Sequence, residues 1–266
     1  MKKKNLILVS IIGLSILRFS IPSEARHTKY GAGVVLDDAG TEPKGTFELT
    51  IPKVVYSGSP GYYTTSIWLA LTYGITDHLE MVIAPEVHDA IWGRDNSGSD
   101  HDFGDVVCGI KYQFLEERDN LPSLAAKYSL KIPTNTDSKG LTTGEIDHAA
   151  YLIASKGLIG GQLNLNLGYK YVGEPDDKIY SNQVSYGAAY VYPVKKVSLV
   201  VELVGKTDYT RPHLTTKENI LDLYGGFKYG FTPSFGMKAS LGTRLNQASP
   251  NYLAFLACAY YFSIKN

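Results

Sequence analysis

Residues 162–171 alternate strictly, with Leu163, Leu165, Leu167, Tyr169 and Tyr171 on one parity and Gln162, Asn164, Asn166, Gly168 and Lys170 on the other. A period of two belongs to an extended strand, whose successive side chains point to opposite faces. Here one face is apolar and the other polar. The same alternation returns along the chain and predicts twelve strands.

The first five fall at about 45–56 (Phe47, Leu49, Ile51), 62–74 (Ile67, Leu69, Leu71, Tyr73), 79–88 (Leu79, Met81, Ile83, Val87), 103–115 (Val106, Cys108, Ile110) and 123–133 (Leu124, Ala126, Tyr128, Leu130, Ile132). The sixth, at 147–157, has the least regular pattern, and the seventh is the segment above. The remaining five lie at 182–192, 197–207, 220–231, 235–246 and 252–264. The connections between strands alternate as well. Those at 74–78, 115–122, 157–161, 193–196 and 231–234 are short, whereas 89–102, 134–146, 173–181 and 207–218 are longer and rich in Asp, Ser, Thr, Gly and Lys. Near 57–61 and 247–251 the connections on the long-loop side are short exceptions.

The N-terminus sets the compartment. Lys2, Lys3 and Lys4 precede an apolar run from Leu6 to Leu17, and Ser23-Glu24-Ala25 offers small residues before Arg26. This is the order of a secretory signal peptide, and the run is too short to span a bilayer as a helix. Residues 1–25 are therefore expected to be cleaved. The whole chain has 26 basic and 26 acidic residues. Losing Lys2, Lys3, Lys4, Arg18 and Glu24 leaves 22 against 25, a formal charge of −3, which gives no reason to expect nucleic acid. A mean hydropathy of −0.10 excludes a helical membrane protein but is compatible with a barrel, in which every second residue faces inward. Twenty tyrosines suit both strands and the membrane interface.

Together these features predict an all-β fold. The expected architecture is a closed, antiparallel, up-and-down transmembrane β-barrel of about twelve strands over 45–266, with short periplasmic turns and longer external loops. Residues 26–44 would be a periplasmic N-terminal segment, and the protein would reside in the cell outer membrane. Closure satisfies every strand edge, which lipid cannot do. Tyr112, Phe114, Tyr169, Tyr171, Tyr190, Tyr192, Tyr229 and Phe231 stand on the apolar parity near strand ends, as interfacial girdles do.

Three segments carry a resemblance: LTYGITDHLEMVIAPEV at 71–87, GDVVCGIKYQF at 104–114 and PSLAAKYSLKIPTNT at 122–136. Each resembles the outer-membrane transporter family associated with the MetA pathway of phenol degradation, from about residue 65 to the C-terminus. The third departs from the pattern at Asn135, where glycine is expected. The resemblance implies transport of aromatic or hydrophobic compounds.

The inward parity collects Glu48, Glu80, Glu86 and Asp105, then Lys111, Lys127, Lys131 and Lys170, with Gln162, Asn164 and Asn166 among them. Later strands add Glu202, Lys206, Asp222, Lys228, Lys238 and Arg244. Opposing acidic and basic arcs across a narrow pore orient polar solutes and focus ions. The same charges would serve equally as a packed salt-bridge network filling a closed barrel, with side chains, an inward loop or residues 26–44 occupying the lumen. The expected function is a porin-like channel for small solutes, the alternative a structural or adhesive barrel with a plugged lumen.

Expected partners are outer-membrane lipid and lipopolysaccharide, a small-molecule solute, and the barrel-assembly machinery, reached through the aromatic-rich final strand. No enzyme is expected: His148 opens the sixth strand with no Ser and Asn to complete a phospholipase-type site, and no catalytic residue is assigned. No cofactor or metal is expected either. Asp37-Asp38, Asp176-Asp177 and Asp100 with Asp102 carry the oxygens that hard cations prefer, and are read as solvated loop acids. Cys108 and Cys258 would sit four strands apart, nearly 20 Å at about 4.8 Å per strand. A disulfide needs Cα atoms within about 7 Å, so both are expected to be free thiols facing lipid.

Overall fold

The computed structural model describes residues 19–20, 32–59, 62–93, 99–134, 143–174, 181–210, 217–246 and 251–264. Twelve long strands form the body: β1 (Thr46–Ser59), β2 (Tyr62–Thr76), β3 (Leu79–Gly93), β4 (Val106–Leu115), β5 (Ser123–Ile132) and β6 (Asp147–Leu158). They continue as β7 (Gly161–Tyr171), β8 (Gln183–Val194), β9 (Val197–Thr210), β10 (Lys217–Thr232), β11 (Phe235–Arg244) and β12 (Tyr252–Ile264). Each pairs antiparallel with its sequence neighbours, and β12 returns to β1 over Tyr252–Ser263 against Thr46–Gly58. The sheet is thus a closed meander. The least regular of the predicted strands, β6, is in full register with both β5 and β7.

Two short pieces add to the cylinder. Phe19–Ser20, within the stretch read as a leader, pair with Ile264 and Ser263. Asp89–Trp92 pair with Ser99–Asp102, so the third strand does not stop at 88 and residues 89–102 are not wholly loop. Residues 89–93 still pair with β2 but extend past the start of β4, and residues 99–102 supply the hydrogen bonds on that side.

The wall has the polarity of a membrane barrel. Leu165, Leu167 and Val201 face outward at 48, 56 and 56 % exposure, while Asn164 and Glu202 are buried inside at 0 and 1 %. A soluble barrel would reverse this arrangement, because lysine and glutamate are solvated at lower cost in water than in a core. Cys108 and Cys258 are free, and both lie on the outward parity.

One irregularity changes which side chains enter the lumen. β1 carries an extra residue between Thr50 and Lys53, opposite both β2 and β12. Pro52 lies there, where the ladder is already interrupted and its missing N–H costs nothing. The bulge reverses the parity, so Lys53 and Val55 turn inward although they continue the odd series of Phe47, Leu49 and Ile51.

Candidate functional site

The interior is occupied by the chain's own N-terminal segment. Residues 26–44 were expected as a periplasmic segment, with occupation of the lumen as an alternative; residues 32–42 lie within the barrel, where a polar lumen offers their backbone the hydrogen bonds it needs. Residues 26–31 are outside the described residues. The segment enters where Lys228 Nζ donates to the Ala32 carbonyl at 2.8 Å. It leaves where Thr41 Oγ1 donates to the Asp77 carbonyl in the β2–β3 turn at 2.7 Å, and Gly45 N–H to the Gly74 carbonyl at 2.8 Å. Both ends therefore lie toward the short turns, and the middle reaches up into the barrel.

Glu202 grips that middle. Its carboxylate accepts from three consecutive backbone amides, Val34 at 3.1 Å, Val35 at 3.0 and 3.1 Å, and Leu36 at 2.8 Å. Such charge-assisted bonds offset the desolvation of a carboxylate that is 1 % exposed. The approach requires a glycine, since a Cβ on Gly33 would come to 2.0 Å from Glu202 Oε1. Three apolar clusters tie the segment to different parts of the wall. Val34 packs with Val191, Val200 and Phe255; Leu36 against Val204, Tyr224 and Leu253; Ala39 with Ala125 and Ile153.

Asp37 is the electrostatic anchor. Its carboxylate meets Lys111 at 3.1 Å and Lys127 at 2.9 Å, while its peptide group pairs with Asn166. Burial pushes the Asp37 carboxyl up, but the two ammonium groups outweigh this and hold it well below the usual carboxylate range. Lys111 also meets Glu80 at 3.1 Å, and Glu80 in turn accepts from the Glu42 amide at 2.6 Å. Ser155 accepts from the Ala39 amide and donates to Asn164, which also accepts from Gln162. Asp37 and Asp38 are thus internal groups facing lysine, not solvated loop acids. Asp176 and Asp177 lie outside the described residues.

Toward the long loops a second ion network runs along one arc of the inner wall. Lys131 bridges Asp105 at 2.9 Å and Asp147 at 3.3 Å, and Asp147 also meets Lys170 at 2.7 Å. Three strands and the residue preceding β4 contribute one charge each, and only Asp147 was not among the expected lumen residues. Glu48 lines the turn-side interior and accepts from Thr50 Oγ1 at 2.8 Å. Glu86 packs against Gly104. Lys206 is half-buried and Asp222 buried at 4 %. Arg244 shares their face but is exposed at the end of β11, at the mouth and not in the wall.

Between segment and wall remains a cavity of about 240 Å³, lined in part by Lys53, Lys228 and Lys238. Sequence reading missed Lys53 because the bulge was not inferred from Pro52. It missed Asp37 and Glu42 because no strand pattern marks the segment.

The outer aromatics fall at both rims. Tyr169 and Tyr171 stand at the loop end; Tyr112, Phe114, Tyr190, Tyr192, Tyr229 and Phe231 stand at the turn end. Most are exposed. Tyr190 and Tyr229 are half-buried, and the Tyr190 hydroxyl donates to the Leu158 and Ile159 carbonyls. His148 faces outward with its ring nitrogen 2.6 Å from the Tyr128 hydroxyl.

A closed twelve-strand meander with an apolar exterior and charged interior defines an outer-membrane-type β-barrel. The NanC porin has the same fold, with a TM-score of 0.52 and 10 % identity over 82 % of this chain and 100 % of that one. The translocator domain of the autotransporter NalP from Neisseria meningitidis aligns at a TM-score of 0.47 and 10 % identity, covering 81 and 87 % of the two chains. The CymD monoaromatic hydrocarbon channel aligns at 0.45 and 11 % identity, covering 84 and 90 %. No curated protein matches the sequence. The chain belongs to the family of the MetA-pathway of phenol degradation, whose pattern it matches over residues 27–262.

Proposed function

We propose that the protein is an outer-membrane channel for small solutes, held shut at its turn end by its own residues 32–44. One observation carries this reading. No residue of 32–44 belongs to a ladder pair of the barrel, so the segment can shift while all twelve strands stay paired. A wall built of Lys, Glu, Asn and Ser would remain around a wetted passage. The family's description points to aromatic compounds as cargo. In this reading the girdles meet lipid and lipopolysaccharide, β12 engages the assembly machinery, the leader directs export, and transport needs no catalytic group.

The dense contacts of the segment favour a second reading, a structural barrel whose interior stays filled. Liposome swelling separates the two. Vesicles carrying the full barrel are compared with vesicles carrying a barrel lacking residues 32–42, using phenol and small sugars as solutes. A channel gives faster swelling in the shortened form; equal, background swelling in both forms supports the structural barrel.

A further inference from the structure

The cavity beneath the segment has an unusual wall. In the register of four adjacent strands, Lys228 of β10 stands opposite Lys238 of β11, Lys238 opposite Ala257 of β12, and Ala257 opposite Lys53 of β1. Three lysines therefore occupy one level of the barrel and line the same cavity. Directly opposed like charges destabilise a strand pair, and neighbouring strands are only about 4.8 Å apart. Inside a protein, away from bulk water, this repulsion is felt more strongly.

The acids around the cavity have closer partners, although Glu48 also attracts Lys53 and Lys228 through space. Asp37 is held by Lys111 and Lys127, Glu80 by Lys111 and the Glu42 amide, and Glu202 by the amides of Val34 to Leu36. Glu48 accepts from Thr50, and Glu42, which also lines the cavity, has contacts of its own. Among the described residues, none of the three lysines has a carboxylate within ion-pair distance. Among the described residues Lys228 bonds a neutral carbonyl, that of Ala32, and Lys53 lies 5.9 Å from the centre of the Phe255 ring. The row thus concentrates ammonium donors around a space that holds a molecule of several heavy atoms. Val82 and Ala70 add apolar surface to the same space.

We infer that the Lys53–Lys238–Lys228 row binds a small organic anion, with its carboxylate among the ammonium groups and its short apolar body against Val82 and Ala70. A carboxylate there neutralises the opposed charges and accepts the donors that the wall leaves unused. The site goes beyond the proposed transport role and stands without it, because binding at equilibrium needs no passage through the barrel.

The test is equilibrium dialysis of radiolabelled benzoate against the purified full-length barrel in a neutral detergent, with the neutral isostere benzamide and inorganic phosphate as competitors. The inference predicts saturable benzoate binding that weakens with salt and is not displaced by benzamide. Lys238→Gln should weaken it at least tenfold, Lys53→Gln should do the same, and Lys238→Arg should largely preserve it. Heat-modifiable gel migration establishes that each variant is folded. A second readout does not depend on ligand affinity: without benzoate, Lys238→Gln should raise the unfolding temperature by removing the repulsion, and added benzoate should then stabilise the wild type but not the variant. Benzoate binding unaffected by Lys238→Gln, or equal binding of benzamide, overturns the inference. Displacement by phosphate with no preference for benzoate would also overturn the organic-anion assignment, leaving a general anion site. None of these outcomes depends on whether the barrel conducts.

Discussion

Asn166 holds Asp37 by both edges of its peptide: Oδ1 accepts from the Asp37 N–H at 3.2 Å and Nδ2 donates to the Asp37 carbonyl at 2.8 Å. A side chain of the wall thereby supplies the pairing that a neighbouring strand would give. Replacing it by alanine leaves both groups without that partner, at a cost of about 1–3 kcal/mol. Asn166→Ala should speed amide exchange at Val34 to Ala39 by roughly ten- to a hundredfold, with strand amides unchanged. Unaltered protection across the segment would mean that Asn166 does not hold it.

Asp37 gives the seat a pH dependence of definite sign. Its carboxyl titrates well below the usual range in place and near pH 4 once released. The released form therefore takes up a proton first as pH falls. The contribution of Asp37 should be constant from neutral pH down to about 4, and decline below it. Fluorescence of a probe on the segment should report release only under acid conditions, and Asp37→Asn should show a looser segment at pH 7 without that transition. Loosening of the wild type already between pH 7 and 5 would contradict the assignment.

Leu165 tests the outward face. It is 48 % exposed at the middle of β7 and pairs with Ala188 and Ala154. A charge near mid-bilayer costs about 2–4 kcal/mol, so Leu165→Arg should reduce the heat-modifiable, membrane-assembled fraction. Asn164→Ala should assemble normally but loosen the segment through Ser155. Equal assembly of Leu165→Arg and wild type would argue against a lipid-facing position.

The free thiols probe closure. Cys108 on β4 and Cys258 on β12 point outward and are separated by β1, β2 and β3. In membranes an apolar maleimide should label both, a membrane-impermeant charged reagent should label neither, and reductant should not change gel mobility. A mobility shift on reduction would contradict the strand order.

Much of this architecture was legible in the alternation itself. Strand positions, the inward acids and lysines, and the outward thiols follow from a period of two, which one buried face fixes strongly. The bulge at Pro52 was not read, and with it went Lys53. Residues 26–44 were one of three possible fillings of the lumen, and which wall groups hold them was not legible for a deeper reason. Most of their bonds are made by single backbone groups to side chains far away in sequence, such as Val34 to Glu202, and no local pattern encodes such a pairing. The lysine row has the same origin, since Lys53, Lys228 and Lys238 become neighbours only through register.

The most direct test of the gated barrel is single-channel conductance with the segment tethered. Ala39 and Ser155 touch through a 2.8 Å hydrogen bond, so Ala39→Cys with Ser155→Cys, in a background of Cys108→Ala and Cys258→Ala, places two thiols for a bond between segment and wall. The account predicts a silent barrel when oxidised and discrete openings after reduction, with larger and more frequent openings when residues 32–42 are deleted. The same conductance before and after reduction, or none in the deleted form, would contradict it.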